Sequence, residues 1–177
     1  RAEALACLIE HEIHSLPVLD EDELIGIVTS TDFLRELSQG ELPGHEQRVS
    51  RYMTKTEDWV EAGATLDEAR IEFVASSLRY LPVMQGECPL GVISQRMLRT
   101  AKCRQLLAET LDVDHEREDI HVKELVKSAP NVKPGDRLAS AASLMVEYSV
   151  QAVAVVNQGH RLMGVISEDD ILQGALA

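Results

Sequence analysis

Two segments of the sequence place a hydroxyl side chain three residues before a carboxylate. Thr29 is followed by Asp32, and Ser167 is followed by Asp170. A carboxylate only accepts hydrogen bonds, so it can bind donors of its own chain or donors of another molecule. The pattern is also typical of a helix start, where the hydroxyl caps backbone N–H groups and the acid complements the helix dipole. The spacing alone favours the cap, because caps are common and ligand sites are few. The two roles are compatible, since the hydroxyl can cap while the acid turns outward.

The other reactive side chains form no recognisable catalytic group. His11 and His14 stand three residues apart on a predicted helix, but no third metal ligand is in sequence reach, so solvent exposure is favoured. The acidic runs at residues 20–23 and 168–170 could attract Mg²⁺, although most such runs are solvated turns. No Ser-His-Asp or Cys-His arrangement has positional support, and the sequence has no Walker or GxGxxG motif. We therefore expect no enzyme and no cofactor.

The composition limits the partners and the compartment. The chain has 177 residues and a formal charge of −13, with 30 acidic against 17 basic side chains. This charge disfavours nucleic acid and anionic membrane surfaces as partners. The cysteines Cys7, Cys88 and Cys103 are odd in number and far apart, which predicts a reducing compartment and no disulfide framework. No apolar run reaches the roughly eighteen residues of a spanning helix, so we expect no membrane insertion and a cytoplasmic location.

The two hydroxyl–acid pairs belong to a pattern that occurs three times. In the first copy an apolar run at residues 16–19 turns through acidic residues, returns at residues 24–28 and leads into a predicted helix at residue 29. The second copy has its apolar runs at residues 81–84 and 91–94, and the third has them at residues 153–156 and 164–167. Each copy predicts a hairpin that leads into a helix. The spacing exceeds the about 20–50 residues of solenoid repeats, which indicates a small folded unit in tandem.

A helix is predicted before each hairpin as well. Thr65 and Glu68 form a capping-box pattern before the second hairpin, and Asp136 is the expected N-cap before the third. Short strands are expected at residues 59–60 and 131–132, and residues 101–119 should be helical at first and then charged. The fold class is therefore α/β (α+β), with a β-α-β-β-α unit at residues 1–40, 48–102 and 119–177. The first unit lacks its leading strand, so we expect the natural chain to extend further in the N-terminal direction.

The first two copies carry Leu-Pro-Val before the hairpin, and all three carry a Gly-Ile/Val-Ile/Val-Ser/Thr line after it. The third copy has Ala154 at the proline position, a departure that should be structurally tolerable. Over nearly the whole chain this pattern resembles CBS (cystathionine β-synthase-type) domains. The resemblance implies tandem CBS repeats with small mixed sheets, helices on one face and pseudo-twofold pairing into a Bateman module. It also implies clefts that hold adenine nucleotides or related adenosyl ligands. In this family the acid of the hydroxyl–acid pair takes the ribose hydroxyls, a role that Asp32 and Asp170 match together with Thr29 and Ser167.

The second copy departs from this pattern, because Met97 stands where the acid is expected and a thioether cannot accept two hydroxyl hydrogen bonds. The cleft of that copy is expected to be empty or to hold another molecule. The resemblance also implies that basic residues three positions before the family's proline face ligand phosphates, which assigns His14 and Arg79 to the site. If the first two copies pair, both residues would surround one site with Thr29 and Asp32. The alternatives are a free surface imidazole and a solvated surface arginine.

These observations predict a non-catalytic regulatory module whose partner is a small molecule: AMP, ADP, ATP or S-adenosylmethionine. An alternative is a structural module that only forms a homodimer through its repeats. A third hypothesis is a Mg²⁺-sensing module, which Mg²⁺ but no adenosyl ligand would stabilise.

Overall fold

A computed structural model of the chain describes residues 1–110 and 120–176. Helices alternate with short strands, which confirms the predicted mixed α/β class. The helices are α1 (Ala2–Glu10), α2 (Ser30–Ser38), α3 (Val49–Tyr52), α4 (Leu66–Ser76), α5 (Gln95–Thr110), α6 (Leu138–Tyr148) and α7 (Glu168–Leu176), with a short 3-10 helix at Val122–Glu124. The strands are β1 (Ser15–Asp20), β2 (Glu23–Thr29), β3 (Thr54–Lys55), β4 (Val60–Glu61), β5 (Tyr80–Gln85), β6 (Cys88–Ser94), β7 (Ala152–Val156) and β8 (Leu162–Ser167).

The first repeat consists of α1, the antiparallel hairpin β1–β2 and α2. Ser15 lies opposite Thr29 in the hairpin, so the start of β1 and the start of α2 are neighbours. This two-stranded sheet leaves apolar side chains exposed to between 38% and 66%, namely Val18, Leu19, Leu24, Ile25 and Ile27. The first repeat therefore has an uncovered apolar hairpin.

The second repeat forms a three-stranded sheet in the order β4-β5-β6, with β4 parallel and β6 antiparallel to β5. The predicted capping box at the start of α4 is confirmed, because Thr65 N donates to Glu68 Oε2 at 2.8 Å and Glu68 N donates to Thr65 Oγ1 at 3.3 Å. The core of this repeat is mainly aliphatic, and Leu81, Val83 and Ile93 are fully buried in it. The predicted strand before α4 is present as β4.

The third repeat contributes β7 and β8 to a sheet in the order β3-β8-β7, and every residue of β7 is buried. The predicted N-cap at Asp136 is wrong. Helix α6 begins at Leu138 with Arg137 as its N-cap, and Asp136 Oδ2 instead accepts a hydrogen bond from Lys133 N at 2.7 Å. Asp136 therefore closes the turn before the helix. The short strand predicted at residues 131–132 is reduced to a single bridging residue, Val132.

The connector after the second repeat begins as a helix, as predicted, because α5 continues to Thr110. The charged part of that prediction at residues 111–119 lies outside the described residues. Across residues 1–110 and 120–176, helix length and apolarity never reach what a membrane crossing requires.

The described residues divide into two compact units. Unit 1 contains residues 1–54, 132–153 and 166–176, and thus combines the first repeat with both helices of the third. Unit 2 contains residues 55–110, 120–131 and 154–165, and thus combines the second repeat with the hairpin end of the third. Each unit is therefore built from two different repeats.

Four helices of unit 1 pack in a repeat-symmetric way. Helix α2 packs on α6, α1 packs on α7, and α2 also contacts α7. Helices α1 and α6 occupy equivalent positions before their hairpins, and α2 and α7 occupy equivalent positions after theirs. The contact between α2 and α6 is therefore the counterpart of the contact between α1 and α7 when the two repeats are interchanged. The approach is close at Gly174 of α7, where an added Cβ would meet the side chains of Leu138 and Tyr52.

Candidate functional site

The site in unit 1 lies where α2 and α7 begin. His14, just before β1, accepts a hydrogen bond at its backbone oxygen from Ser30 N, the first amide of α2, at 3.0 Å. The equivalent contact in the third repeat joins Glu168 N, the first amide of α7, to the backbone oxygen of Gln151 at 2.9 Å. The first and third repeats thus each tie the start of their second helix to the residue before their hairpin.

A side-chain contact connects the two repeats at this point. His14 Nδ1 lies 3.0 Å from Glu168 Oε1, which also accepts a hydrogen bond from Gln151 Nε2 at 3.1 Å. The Glu168 side chain is only 4% exposed, whereas that of His14 is 47% exposed. Burial raises the pKa of Glu168, since the desolvated carboxylate loses its hydration, and His14 opposes this change while the nearby Asp169 adds to it.

Asp32 binds the residues that precede it. Its Oδ2 accepts hydrogen bonds from Thr29 N at 2.9 Å and from Thr29 Oγ1 at 2.7 Å, and Arg35 Nη1 donates to its Oδ1 at 3.0 Å. The bond from the Thr29 hydroxyl is the main cause that holds the pKa of Asp32 below its ordinary value. The Asp32 side chain remains 44% exposed, so solvent still reaches it.

Asp170 repeats this arrangement at the start of α7. Its Oδ2 accepts hydrogen bonds from Ser167 N at 2.8 Å and from Ser167 Oγ at 2.7 Å, while Asp170 N donates to Ser167 Oγ at 3.3 Å. Both hydroxyl–acid pairs therefore make the helix-start contacts that the spacing favours. A carboxylate has about four acceptor positions, so either acid can accept further hydrogen bonds from a ligand. The ligand-binding role of both acids stays a prediction.

The second repeat has the serine of the hydroxyl–acid pattern but a methionine in place of the acid. Ser94 Oγ accepts a hydrogen bond from Met97 N at 3.2 Å, which is the helix-start contact of α5. The Met97 side chain is partly buried and packs against the apolar core of unit 2. The methionine therefore replaces a polar contact by core packing.

The predicted site residues are divided between the two compact units. His14, Thr29, Asp32, Ser167 and Asp170 all belong to unit 1. Arg79 belongs to unit 2, where it is exposed just before β5, and its role stays a prediction.

The residue that sequence analysis underrated is Glu168. Its acidic run was expected to be a solvated turn, but its side chain is nearly fully buried against residues of two repeats. A position-by-position comparison of the repeats contains a signal, because the other copies have Ser30 and Gln95 at the equivalent position. The third repeat alone places an acid there.

The CBS domain family model matches residues 2–39, 49–103 and 122–176. The uncharacterized protein MJ1225 of Methanocaldococcus jannaschii is 24% identical over 175 residues, and this chain spans 62% of its length. The crystal structure of MJ1225 aligns with 97% of this chain at a TM-score of 0.66 and 23% identity, again covering 62% of that protein.

Two ligand complexes have a similar fold. A crystal structure of CBSX2 in complex with AMP covers 73% of this chain and 96% of its own, with a TM-score of 0.53 and 22% identity. A structure of the CBS domain pair of MJ0100 with 5′-methylthioadenosine and S-adenosyl-L-methionine covers 72% and 94%, with a TM-score of 0.55 and 16% identity. With three matched segments that together account for most of its length, the chain belongs to the CBS-domain family.

Proposed function

We propose that this chain is a non-catalytic regulatory module that binds an adenosine-containing ligand, either AMP, ADP or ATP or S-adenosylmethionine, and relays its occupancy as a change in packing between repeats. The observation that carries the proposal is the contact between α2 and α7 in unit 1, because each of these helices begins with a hydroxyl–acid pair. The complexes of CBSX2 with AMP and of MJ0100 with adenosyl compounds support the ligand class.

Asp32 and Asp170 are the proposed ribose ligands. Adjacent 2′ and 3′ hydroxyls present two donors, and an ionised carboxylate can accept both. Asp32 suits this role because it is partly exposed and its lowered pKa keeps it ionised. Thr29 and Ser167 hold the two acids in place through their hydrogen bonds.

His14 and Arg79 are the proposed phosphate ligands when the bound molecule is a nucleotide. A chain with a formal charge of −13 needs a local cation to hold a phosphate. His14 is suited by its exposure and its place beside the start of α2. Glu168 competes for the same imidazole nitrogen, so a phosphate must share His14 with this carboxylate or displace it.

The proposed change in packing between repeats follows from the positions of Asp32 and Asp170. A ligand held by Asp32 or Asp170 acts on the first turn of a helix that also packs against the other repeat. If the ligand prefers one arrangement of α2 and α7, it shifts the population toward that arrangement by its difference in affinity and no further.

Isothermal titration calorimetry with AMP, ADP, ATP and S-adenosylmethionine tests the proposal. We expect at least one of them to bind and to raise the melting temperature. Asp32→Ala or Asp170→Ala should weaken that binding by about 1–3 kcal/mol. The matched control is Asp67→Ala, which removes an exposed first-turn acid from α4 in unit 2 and should leave the affinity unchanged. The proposal is abandoned if no adenosyl compound binds at millimolar concentration.

A second candidate function is homodimerisation through the repeats, which the exposed hairpin β1–β2 favours. Apolar side chains of this hairpin are exposed, whereas the equivalent strands β5 and β7 are largely or fully buried. Large exposed apolar patches are typical of protein contact sites. A second copy of the hairpin is the proposed cover, because a symmetric dimer places the same surface on both subunits.

Static light scattering measures directly whether the chain forms a dimer. We expect a dimer that Ile25→Glu with Ile27→Glu converts to a monomer, because both are largely exposed apolar side chains of β2. Ile71→Glu is the control, since Ile71 is comparably exposed on α4. A strictly monomeric wild-type chain at micromolar concentration would remove this candidate.

A further inference from the structure

His14, Glu168 and Asp169 bring one imidazole and two carboxylates together in unit 1. One ligand atom from each residue lies within 4.8 Å of the other two, and His14 Nδ1 lies 3.0 Å from Glu168 Oε1. The imidazole comes from the first repeat and the two carboxylates come from the third. We propose that these three residues form a binding site for a divalent transition-metal ion of the Zn²⁺ class that joins the first and third repeats.

The distances fit such an ion. Zn²⁺ binds imidazole nitrogen and carboxylate oxygen at about 2.0–2.2 Å, which puts tetrahedral ligand atoms about 3.4 Å apart. The 3.0 Å between His14 Nδ1 and Glu168 Oε1 is close to this value, and the other separations are at most 4.8 Å, so side-chain rotation can close the site. The half-exposed imidazole of His14 leaves the solvent side open for a water molecule as fourth ligand.

The kinds of ligand select the metal. Mg²⁺ and Ca²⁺ prefer six or more oxygen ligands, whereas an imidazole with carboxylates suits Zn²⁺ and its neighbours. The acidic turn at residues 20–23 provides a contrast inside the same chain. Its four side chains are exposed, and the metal-ligand group found among the described residues does not include them. The buried carboxylate and the imidazole distinguish the site at α7 from an ordinary acidic turn.

The surroundings of Glu168 support a cation as well. Gln151 Nε2 donates to Glu168 Oε1 at 3.1 Å and so orients the carboxylate, as second-sphere partners do in metal sites. The carboxylate is desolvated and has Asp169 beside it, which makes its negative charge costly without a cation. A dication bound here would compensate the charges of both acids.

The site also deepens the proposed regulation without depending on it. Glu168 and Asp169 open α7, and His14 is bonded to the first amide of α2. A metal ion here would therefore fix the relative positions of the two helices that carry Asp32 and Asp170. Only His14 is shared with the proposed adenosyl site, and metal binding is measured without any adenosyl ligand, so the two proposals can fail separately.

Titration of the EDTA-treated chain with ZnCl₂ tests the proposal, with MgCl₂ in parallel. We expect one Zn²⁺ per chain, a melting temperature several degrees higher, and no such rise at a hundredfold larger Mg²⁺ concentration. Co²⁺ in place of Zn²⁺ should give the intense visible absorption of a four-coordinate site. These readouts require no adenosyl ligand, so they remain informative if the proposed function fails.

Two substitutions localise the ion. His14→Ala and Glu168→Gln should each weaken Zn²⁺ binding at least tenfold, while His11→Ala, which removes a nearby histidine outside the group, should leave it unchanged. His14→Ala alters a half-exposed side chain, so folding is not at issue in that variant. Retained affinity in His14→Ala would assign the ion to other groups, such as the three thiols, and would overturn the proposal. Equal affinity for Mg²⁺, or no Zn²⁺ binding, would overturn it too.

Discussion

Replacing Glu168 by glutamine should leave the metal-free chain equally stable or more stable at pH 7.5, although it removes the charge that faces His14. The Glu168 side chain is almost fully buried, and burial raises its pKa despite the opposing effect of His14. A raised pKa means that the ionised carboxylate is less favourable in the folded chain than in water. A neutral isostere avoids that cost.

The magnitude follows from the contacts of Glu168. Glutamine retains an oxygen that can accept from Gln151 Nε2 and from the ring of His14, so about 0.5–1 kcal/mol of charge assistance is lost. Replacing a buried ion pair by a neutral group of similar shape is often neutral or stabilising, so the net change should be about 0 to +2 kcal/mol. Glu168→Ala is the contrast, because it leaves the Gln151 amide unpaired and a cavity, and it should lower the free energy of unfolding by about 2 kcal/mol.

The pH dependence of the free energy of unfolding should also show that ionised Glu168 destabilises the folded chain. Because the folded pKa of Glu168 lies above the ordinary value of 4.5, the folded chain holds a proton that the unfolded chain has released just above pH 4.5. The stability that this proton provides is complete below pH 4.5 and is lost as the pH rises through the folded pKa. His14 and Asp169 are the titratable groups beside it, so the difference between the wild type and Glu168→Gln isolates the effect of this carboxyl.

Urea denaturation in EDTA-containing buffer measures both the change in the free energy of unfolding and its pH dependence. The free energy of unfolding of Glu168→Gln minus that of the wild type should increase from pH 4.5 to 7.5. His14→Ala is the matched control, and it should cost little at pH 7.5, because the His14 side chain is 47% exposed. A loss of more than about 1 kcal/mol in Glu168→Gln at pH 7.5 would refute burial as the dominant influence on this carboxylate.

Three further predictions concern the helix starts and the close approach of α7. Asp32→Ala should lower the free energy of unfolding by about 1 kcal/mol in urea denaturation, because the acid accepts two bonds from Thr29, and Asp32→Asn should lose less. Since the pKa of Asp32 is lowered, its contribution is present above its ordinary pKa and is lost as the pH falls. Met97→Asp should lower the melting temperature and create no adenosyl site detectable by calorimetry, because the new carboxylate would face the apolar core of unit 2. Gly174→Ala should lower the free energy of unfolding by about 1–3 kcal/mol, because its Cβ would meet Leu138 and Tyr52, and an unchanged urea midpoint would contradict that close approach.

Features that involve residues close in sequence were largely predictable. The pairs Thr29–Asp32, Thr65–Glu68 and Ser167–Asp170 all make the contacts expected of a helix start, because those bonds join side chains to backbone only three residues away. Asp136 is the exception. Its carboxylate met an earlier amide in the same turn, and two such local bonds compete within one short segment.

The sequence by itself determined that the chain has three α/β repeats, because apolar periodicity and turn residues act locally and recur in each copy. Only the tertiary structure decided which repeats share a unit, since the sequences of three similar apolar faces do not specify which face packs against which. The packing of α2 on α6 and of α1 on α7 follows from that choice. It also buries Glu168 beside His14, a residue far away in sequence, and burial of a single carboxylate leaves no trace in a periodic pattern.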